Sequence, residues 1–349
     1  MFGIFSYRLV LTGGKHTMKI IGEIINNMPW EEMPEGYKDV FWRSKNNPII
    51  TKDFVEGAST ILNSAVVSFE DGFAGVFRVD DRSYHSGLHV GFSKNGYDWE
   101  ISDKEIEFIR TNDEITEFAH GYDPRVCKIE DTYYIVWCNK FTDKNSSNWS
   151  PTIGCAYTKD FKSFYQLENA FLPENRNGVL FPKKIAGKYM MLSRPIRSGN
   201  VGDIYLSQSP DMEYWGRHRL VMTPASNWES NKIGGGANPI EIDEGWLLIY
   251  HGVISTCNGL RYMVGGAILD KEKPWIVKHR SSRYLMAPEE IYERVGDVDN
   301  VVFPCAALAD AKTGRIAMYY GAADTVVGLA FTTVDRIVDY IKENDICNN

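Results

Sequence analysis

One pattern is written five times along this chain: an alternating apolar run, a short polar turn, and a second apolar run ending in a polar residue. The copies are NSAVVSFEDGFAGVFRVD from Asn63, YDPRVCKIEDTYYIVWCNK from Tyr122, NGVLFPKKIAGKYMMLSRP from Asn177, NPIEIDEGWLLIYHGV from Asn238 and FPCAALADAKTGRIAMYYGAAD from Phe303. Alternation places one face of a strand in a core, and the turns EDG, EDT, AGK, DEG and AKTG carry hairpin chemistry. A second pattern follows: HVGFSKNGYDWEI, CAYTKDFKSFYQL, IYLSQSPDMEYWGRHRL and, more loosely, GAILDKEKPWIVKHR. Each gives a strand, a polar turn, an aromatic and another strand. After the fifth copy, LAFTTVDRIVDYIKEND sets Val334, Ile337, Val338 and Ile341 at helical spacing, which predicts an amphipathic C-terminal helix in place of the last strand. Four-stranded units recurring every ~55–65 residues predict an all-β, five-bladed β-propeller; a β-sandwich with coincidental hairpins is the alternative. Residues 18–349 form one such domain. Residues 1–17 match nothing in the repeat and are an N-terminal extension, with Met18 as a candidate natural start.

In a propeller the innermost strands surround an axis, so polar residues at their ends converge. Those residues are Asn63, Ser64, Arg78, Asp80, Asp123, Arg176, Arg194, Asn238, His251 and Asp324. Contact with solvent explains the Asn and Asp; it explains less well three arginines and a histidine beside apolar strands. Asp123 precedes Pro124, which cannot donate to a ladder and is therefore expected at the first position of a strand, with Asp123 biased to extended geometry. A stiffly held carboxylate follows. The chain carries a formal net charge of −8 without a basic run, which argues against nucleic acid and anionic membranes as partners. Any anion site must therefore be local. Arg176, Arg194, Lys232 and His251 supply one, since arginines pair bidentately with phosphate oxygens and lysine adds a point charge. The segment KIGGGANP is expected to add a glycine loop whose N–H groups approach the anion. A conventional glycosidase needs two carboxylates; with phosphate as nucleophile one suffices, as the acid.

Composition narrows the setting. Aromatic residues make up 13%, including 9 Trp and 19 Tyr, which suits β structure and sugar-binding surfaces. The 6 Cys show neither CxxC pairing nor zinc spacing and read as buried free thiols in a reducing compartment. No apolar run approaches a membrane span, and the N-terminal MFGIFSYRLVLTGG lacks a cleavage site, so the cytoplasm is expected.

From about Ile24 to Ile341 the sequence resembles the mannoside phosphorylases of glycoside hydrolase family 130, five-bladed propellers, and within them the members acting on β-1,4-mannooligosaccharides. NSAVV, FAGVFRVDD, GYDPRV, NRNGVLFP, SRP, GWLLIYHGV, CNG, VVFPCA and IAMYYGAADT carry the resemblance. It implies Asp123 as catalytic acid; Arg176, Arg194, Lys232 and His251, with Tyr262 as an addition, as phosphate ligands; and Asn63, Ser64, Arg78, Asp80 and Asp324 around the nonreducing-end mannose. The implied reaction is inverting phosphorolysis to α-mannose 1-phosphate, with the acid relayed through the mannose 3-hydroxyl. Neither metal nor organic cofactor is implied, phosphate being a co-substrate. A homo-oligomer is implied too, for which the C-terminal helix offers an apolar face. Two segments depart from the family pattern, RPIRSGNVGD and NKFTDKNSSNWSPT, as does GGGAN at Ala237–Asn238, where relatives commonly carry a proline; all three bear on the acceptor subsites. The rival readings are a hydrolase on the same scaffold and a non-catalytic sugar-binding propeller.

Overall fold

Each repeat folds into one antiparallel unit, as its alternation requires. The computed structural model describes residues 17–115, 121–141, 150–197, 199 and 201–347. The first unit comprises Ala58–Phe69, Gly72–Asp81, Ser86–Ser93 and Glu100–Glu105; the second Gly121–Ile129, Thr132–Phe141, Ser150–Thr158 and Phe164–Leu167. The third is Asn175–Leu180, Tyr189–Arg197, Ile204–Ser209 and Gly216–Met222. In the fourth an interrupted inner strand, Lys232–Gly235 and Ile240–Ile242, precedes Gly245–Thr256, Gly259–Leu269 and Val277–Arg280. The fifth has Val302–Ala309, Arg315–Ala322 and Val326–Thr333.

The fifth unit gains its fourth strand from the other end of the chain. Trp42–Arg43 pairs antiparallel with Val326–Thr333, Trp42 facing Phe331. Trp42 is buried, and Trp30 packs edge-on against both it and Phe331 at 5.2 and 5.5 Å. The helix Val334–Glu343 forms as its spacing predicts, capped by Thr333. Its apolar face is not available to a partner, however. Val334, Ile337, Val338 and Ile341 are buried in this chain's own core beside Leu285, Ile316 and Met318.

Because successive side chains on a strand point to opposite faces, each middle strand feeds two cores. Val76 joins Val126 and Ile135 between the first and second units, whereas its neighbour Phe77 joins Ala317 and Tyr319 between the fifth and the first. Val136 packs with Leu180 and Met191 between the second and third units. Leu192 packs with Ile233 and Leu248 between the third and fourth, and Leu247 with Ile316 and Met318 between the fourth and fifth. The units therefore close on one another in a ring of five cores.

The second pattern folds into a repeated turn. Ser93, Thr158 and Ser209 each accept from the amide three residues on, at 2.9, 3.0 and 2.8 Å, which helps hold Gly96, Phe161 and Met212 at φ +76, +53 and +78. Two buried carboxylates anchor the outer layers. Glu229 meets Arg280 at 2.6 Å and Tyr250 at 2.9 Å; Glu293 meets Arg43 at 2.7 Å and Tyr320 at 2.8 Å. Each also caps the short helical turn on which it lies.

Candidate active site

Three of the inner strands share a defect at the same place. Against their neighbours, Asn63–Ser64 in the first unit, Asp123–Pro124 in the second and Asn177–Gly178 in the third set two residues opposite one. Asn63, Asp123 and Asn177 take φ of +47, +53 and +57. These are β-bulges with a left-handed residue, a device that re-aims a side chain at the rim of a closed sheet. The extended geometry expected of Asp123 is thus not found, nor is Pro124 at a strand's start. Pro124 is the fourth residue of its strand, in the bulge, where a missing N–H leaves no ladder bond unmade. An extra residue shifts the alternation by one, but these strands are buried on nearly every side around the bulges, so no alternation is there to show the shift.

The bulges bring the acidic side together. Asp123 Oδ1 accepts from Asn63 Nδ2 at 2.6 Å and from Arg78 Nη1 at 3.1 Å. Arg78, in turn, clamps Asp80 through Nε and Nη2 at 2.9 and 2.7 Å. Burial works against the Arg78 charge, but Asp123 and Asp80 outweigh it and raise its pKa. Asp324, at φ +46 in the turn after Arg315–Ala322, belongs to the same cluster. Burial first, then the nearby charges of Asp123, Asp80 and Asp297, push its carboxyl up to about 7 against the pull of Arg78. Ser64 stands in the first bulge with a buried hydroxyl that has no partner among the described residues.

The cationic side is assembled by register. Arg176 pairs directly with Arg194 across two strands, and Lys232 and Tyr262 flank Val253, two residues from His251. Arg194 Nη1 donates to His251 Nε2 at 2.9 Å. Since a guanidinium only donates, Nε2 must be the unprotonated nitrogen. Burial, with Arg194, Arg125 and Lys232 around it, holds His251 well below its ordinary value and therefore neutral. Burial and the Arg194 and Arg176 charges bring Lys232 down to about 8; burial and Arg176 bring Arg194 down to about 10. Lys232 Nζ lies 5.8 Å from the Tyr262 ring centroid. Among the described residues no carboxylate pairs with Arg176, Arg194 or Lys232, and the Nε atoms of both arginines are buried without an acceptor. Such a cluster suits an anion.

Two expectations need correction here. Gly234 and Gly235 are not a loop but lie within the strand Lys232–Gly235, paired with His251 and Tyr250. Glycine is required at 234 because a Cβ would stand 2.6 Å from His251 Cε1 and 2.8 Å from Arg194 Nη1. Asn238 does not join the site. It lines an apolar cavity of about 670 Å³ at the opposite ends of the inner strands, and its amide donates to the Val126 carbonyl at 2.5 Å.

Of the two departing segments, residues 142–149, 198 and 200 lie outside the described residues. Val201–Gly202 forms a short strand joining the third and fourth units, antiparallel to Tyr189–Arg197 and parallel to Lys232–Gly235, with Gly202 against the Arg194 side chain. That part serves the cationic side. Missed from sequence was Arg125, buried beneath both sides; its only signal was a charge at an inward position of an apolar strand.

Three comparisons bear on what this arrangement does. The model of the family described as β-1,4-mannooligosaccharide phosphorylase matches residues 23–343. A β-1,4-mannooligosaccharide phosphorylase from Ruminococcus albus is 55% identical over 94% of this chain and 98% of its own length. A β-1,2-mannobiose phosphorylase from Listeria innocua, solved with β-1,2-mannobiose, superposes with a TM-score of 0.75 at 26% identity, covering 87% of this chain and 99% of that one.

Proposed function

Because the chain belongs to glycoside hydrolase family 130, we propose that it carries out inverting phosphorolysis of β-1,4-linked mannosides, giving α-mannose 1-phosphate and a chain shortened by one sugar. The observation that carries this reading is the cluster of Arg176, Arg194 and Lys232, which has no carboxylate partner among the described residues, with the charges of Asp123, Arg176 and Arg194 all reaching the Tyr262 hydroxyl. A hydrolase has no use for that unpaired charge; a phosphorylase binds its nucleophile there. The five units in a ring are, in this reading, the blades of a five-bladed propeller, and the Trp42–Arg43 strand is its closure.

In the mechanism, Asn63, Ser64, Arg78, Asp80 and Asp324 hold the nonreducing-end mannose. Arg176, Arg194, Lys232, His251 and Tyr262 hold phosphate on the opposite face of the ring. Phosphate attacks the anomeric carbon, the glycosidic bond breaks, and the leaving oxygen receives the Asp123 proton through the mannose 3-hydroxyl. Asn63 and Arg78 both donate to Oδ1, so in this reading the proton is passed on from the Oδ2 side of the carboxyl. No group of three or more metal-binding side chains occurs among the described residues, and phosphate enters as co-substrate. Four of the six thiols are buried, which suits a reducing cytoplasm, and a homo-oligomer is expected.

The test is product analysis on β-1,4-mannobiose. α-Mannose 1-phosphate should form only with phosphate, saturably. Free mannose released equally fast without phosphate would move the protein to the hydrolases.

A further inference from the structure

Arg125 is 1% exposed, yet its guanidinium meets no carboxylate among the described residues. All its partners are backbone carbonyls, drawn from three units: Gly236 at 2.6 Å from Nε, Asp123 and Pro124 at 3.1 and 3.0 Å from Nη1, and Pro304 at 3.3 Å from Nη2. Two of the four belong to the bulge that aims Asp123, and Gly236 directly follows the strand of Lys232. Its guanidinium also lies 5.2 Å from the Phe303 ring centroid, and that ring is 4.6 Å from His251.

A buried, unpaired cation is costly, and carbonyls alone could be satisfied by neutral donors. The left-handed conformation of Asp123, disfavoured for a residue before proline, likewise persists only if its surroundings impose it. Arg125 meets both conditions. It bonds the bulge from within and fixes the spacing between acid and phosphate strands.

We propose that Arg125 is a positioning residue of the reaction, its guanidinium locking the Asp123–Pro124 bulge against Gly236 and Pro304 so that the acid and the phosphate ligands keep their mutual geometry. This rests on the assignment of Asp123 as the acid. An aryl leaving group needs little protonation, whereas a sugar leaving group needs all of it. Loss of acid alignment should therefore harm the two substrates unequally, and general destabilisation should harm them alike.

The experiment compares phosphorolysis of β-1,4-mannobiose with that of 4-nitrophenyl β-mannoside in wild type, Arg125→Gln, Arg125→Lys and Asp123→Asn. Arg125→Gln should lose about a hundredfold in kcat on mannobiose, the scale of a displacement near 1 Å, and less than about tenfold on the aryl substrate. Arg125→Lys should recover part of the mannobiose loss. Equal losses on both substrates, with Asp123→Asn still discriminating between them, would overturn the proposal and leave the function standing. If Asp123→Asn does not discriminate, the acid assignment fails and takes the proposal with it. Failure of both Arg125 variants to fold would also overturn it, because a positioning role requires a fold that stands without the guanidinium.

Discussion

Removing the Lys232 ammonium should make the empty protein more stable. Lys232 is 4% exposed, and burial together with Arg194 and Arg176 brings it down to about 8 from an ordinary 10.5. A shift of that size corresponds to about 3 kcal/mol at 1.36 kcal/mol per unit. The sign follows from the lowered folded value. The native state binds the proton less tightly than the unfolded chain, so the penalty is complete below pH 8 and fades as the pH rises to 10.5. Lys232→Met should thus exceed wild type by up to about 3 kcal/mol at pH 7 without phosphate or sulfate, and by much less at pH 10.5. Phosphate should reverse the order. It supplies the missing anion and, at about a thousand times its Kd, stabilises wild type by about 4.1 kcal/mol, more than the variant's advantage, whereas the variant binds it weakly. Urea unfolding in Tris chloride, with and without phosphate, measures all four corners. A variant less stable than wild type in the empty state at pH 7, yet equally stabilised by phosphate, would refute the reasoning.

Other expectations follow from the same geometry. Arg194→Ala should raise the KM for phosphate by about tenfold or more, with a smaller change for the mannoside, as initial-rate kinetics would report; equal changes in both would remove Arg194 from the anion site. Asp324 has a raised folded value, so its contribution to stability is complete below pH 4 and is lost as the pH rises through about 7. Asp324→Asn should therefore raise the Tm at pH 8 more than at pH 4, and a pH-independent difference would count against a strained carboxylate. Glu293→Ala leaves Arg43 with only the exposed Glu289 as an acidic partner and should cost up to about 3–5 kcal/mol in urea unfolding, with no selective effect on phosphate KM. Deleting residues 1–17 should leave the Tm near wild type, but extending the deletion through Ile25 should lower it, since the Met18 amide donates to Asp335 at 2.6 Å and the Ile25 amide to Asp310 at 2.9 Å.

Local chemistry set what is local. Alternation and turn residues determined the strand pairs of all five units. The 3.6-residue spacing of Val334, Ile337, Val338 and Ile341 determined the helix. Residue type marked Asp123, the arginines and His251 as out of place on apolar strands. Tertiary structure decided what depends on segments far apart in the chain. A two-residue strand at Trp42–Arg43 carries too little pattern to be read, and it forms only because the fifth unit presents an open edge 283 residues on, at Val326 to Thr333. The bulges at Asn63 and Asp123 lie in stretches buried on both faces, where no alternation exists to betray them, yet they bring these two side chains together in the site. Neither Lys232 nor Arg125 is unusual as a residue. The ring excludes water from both and sets Lys232 beside two other cations, because the energy of a charge is fixed by what surrounds it in space.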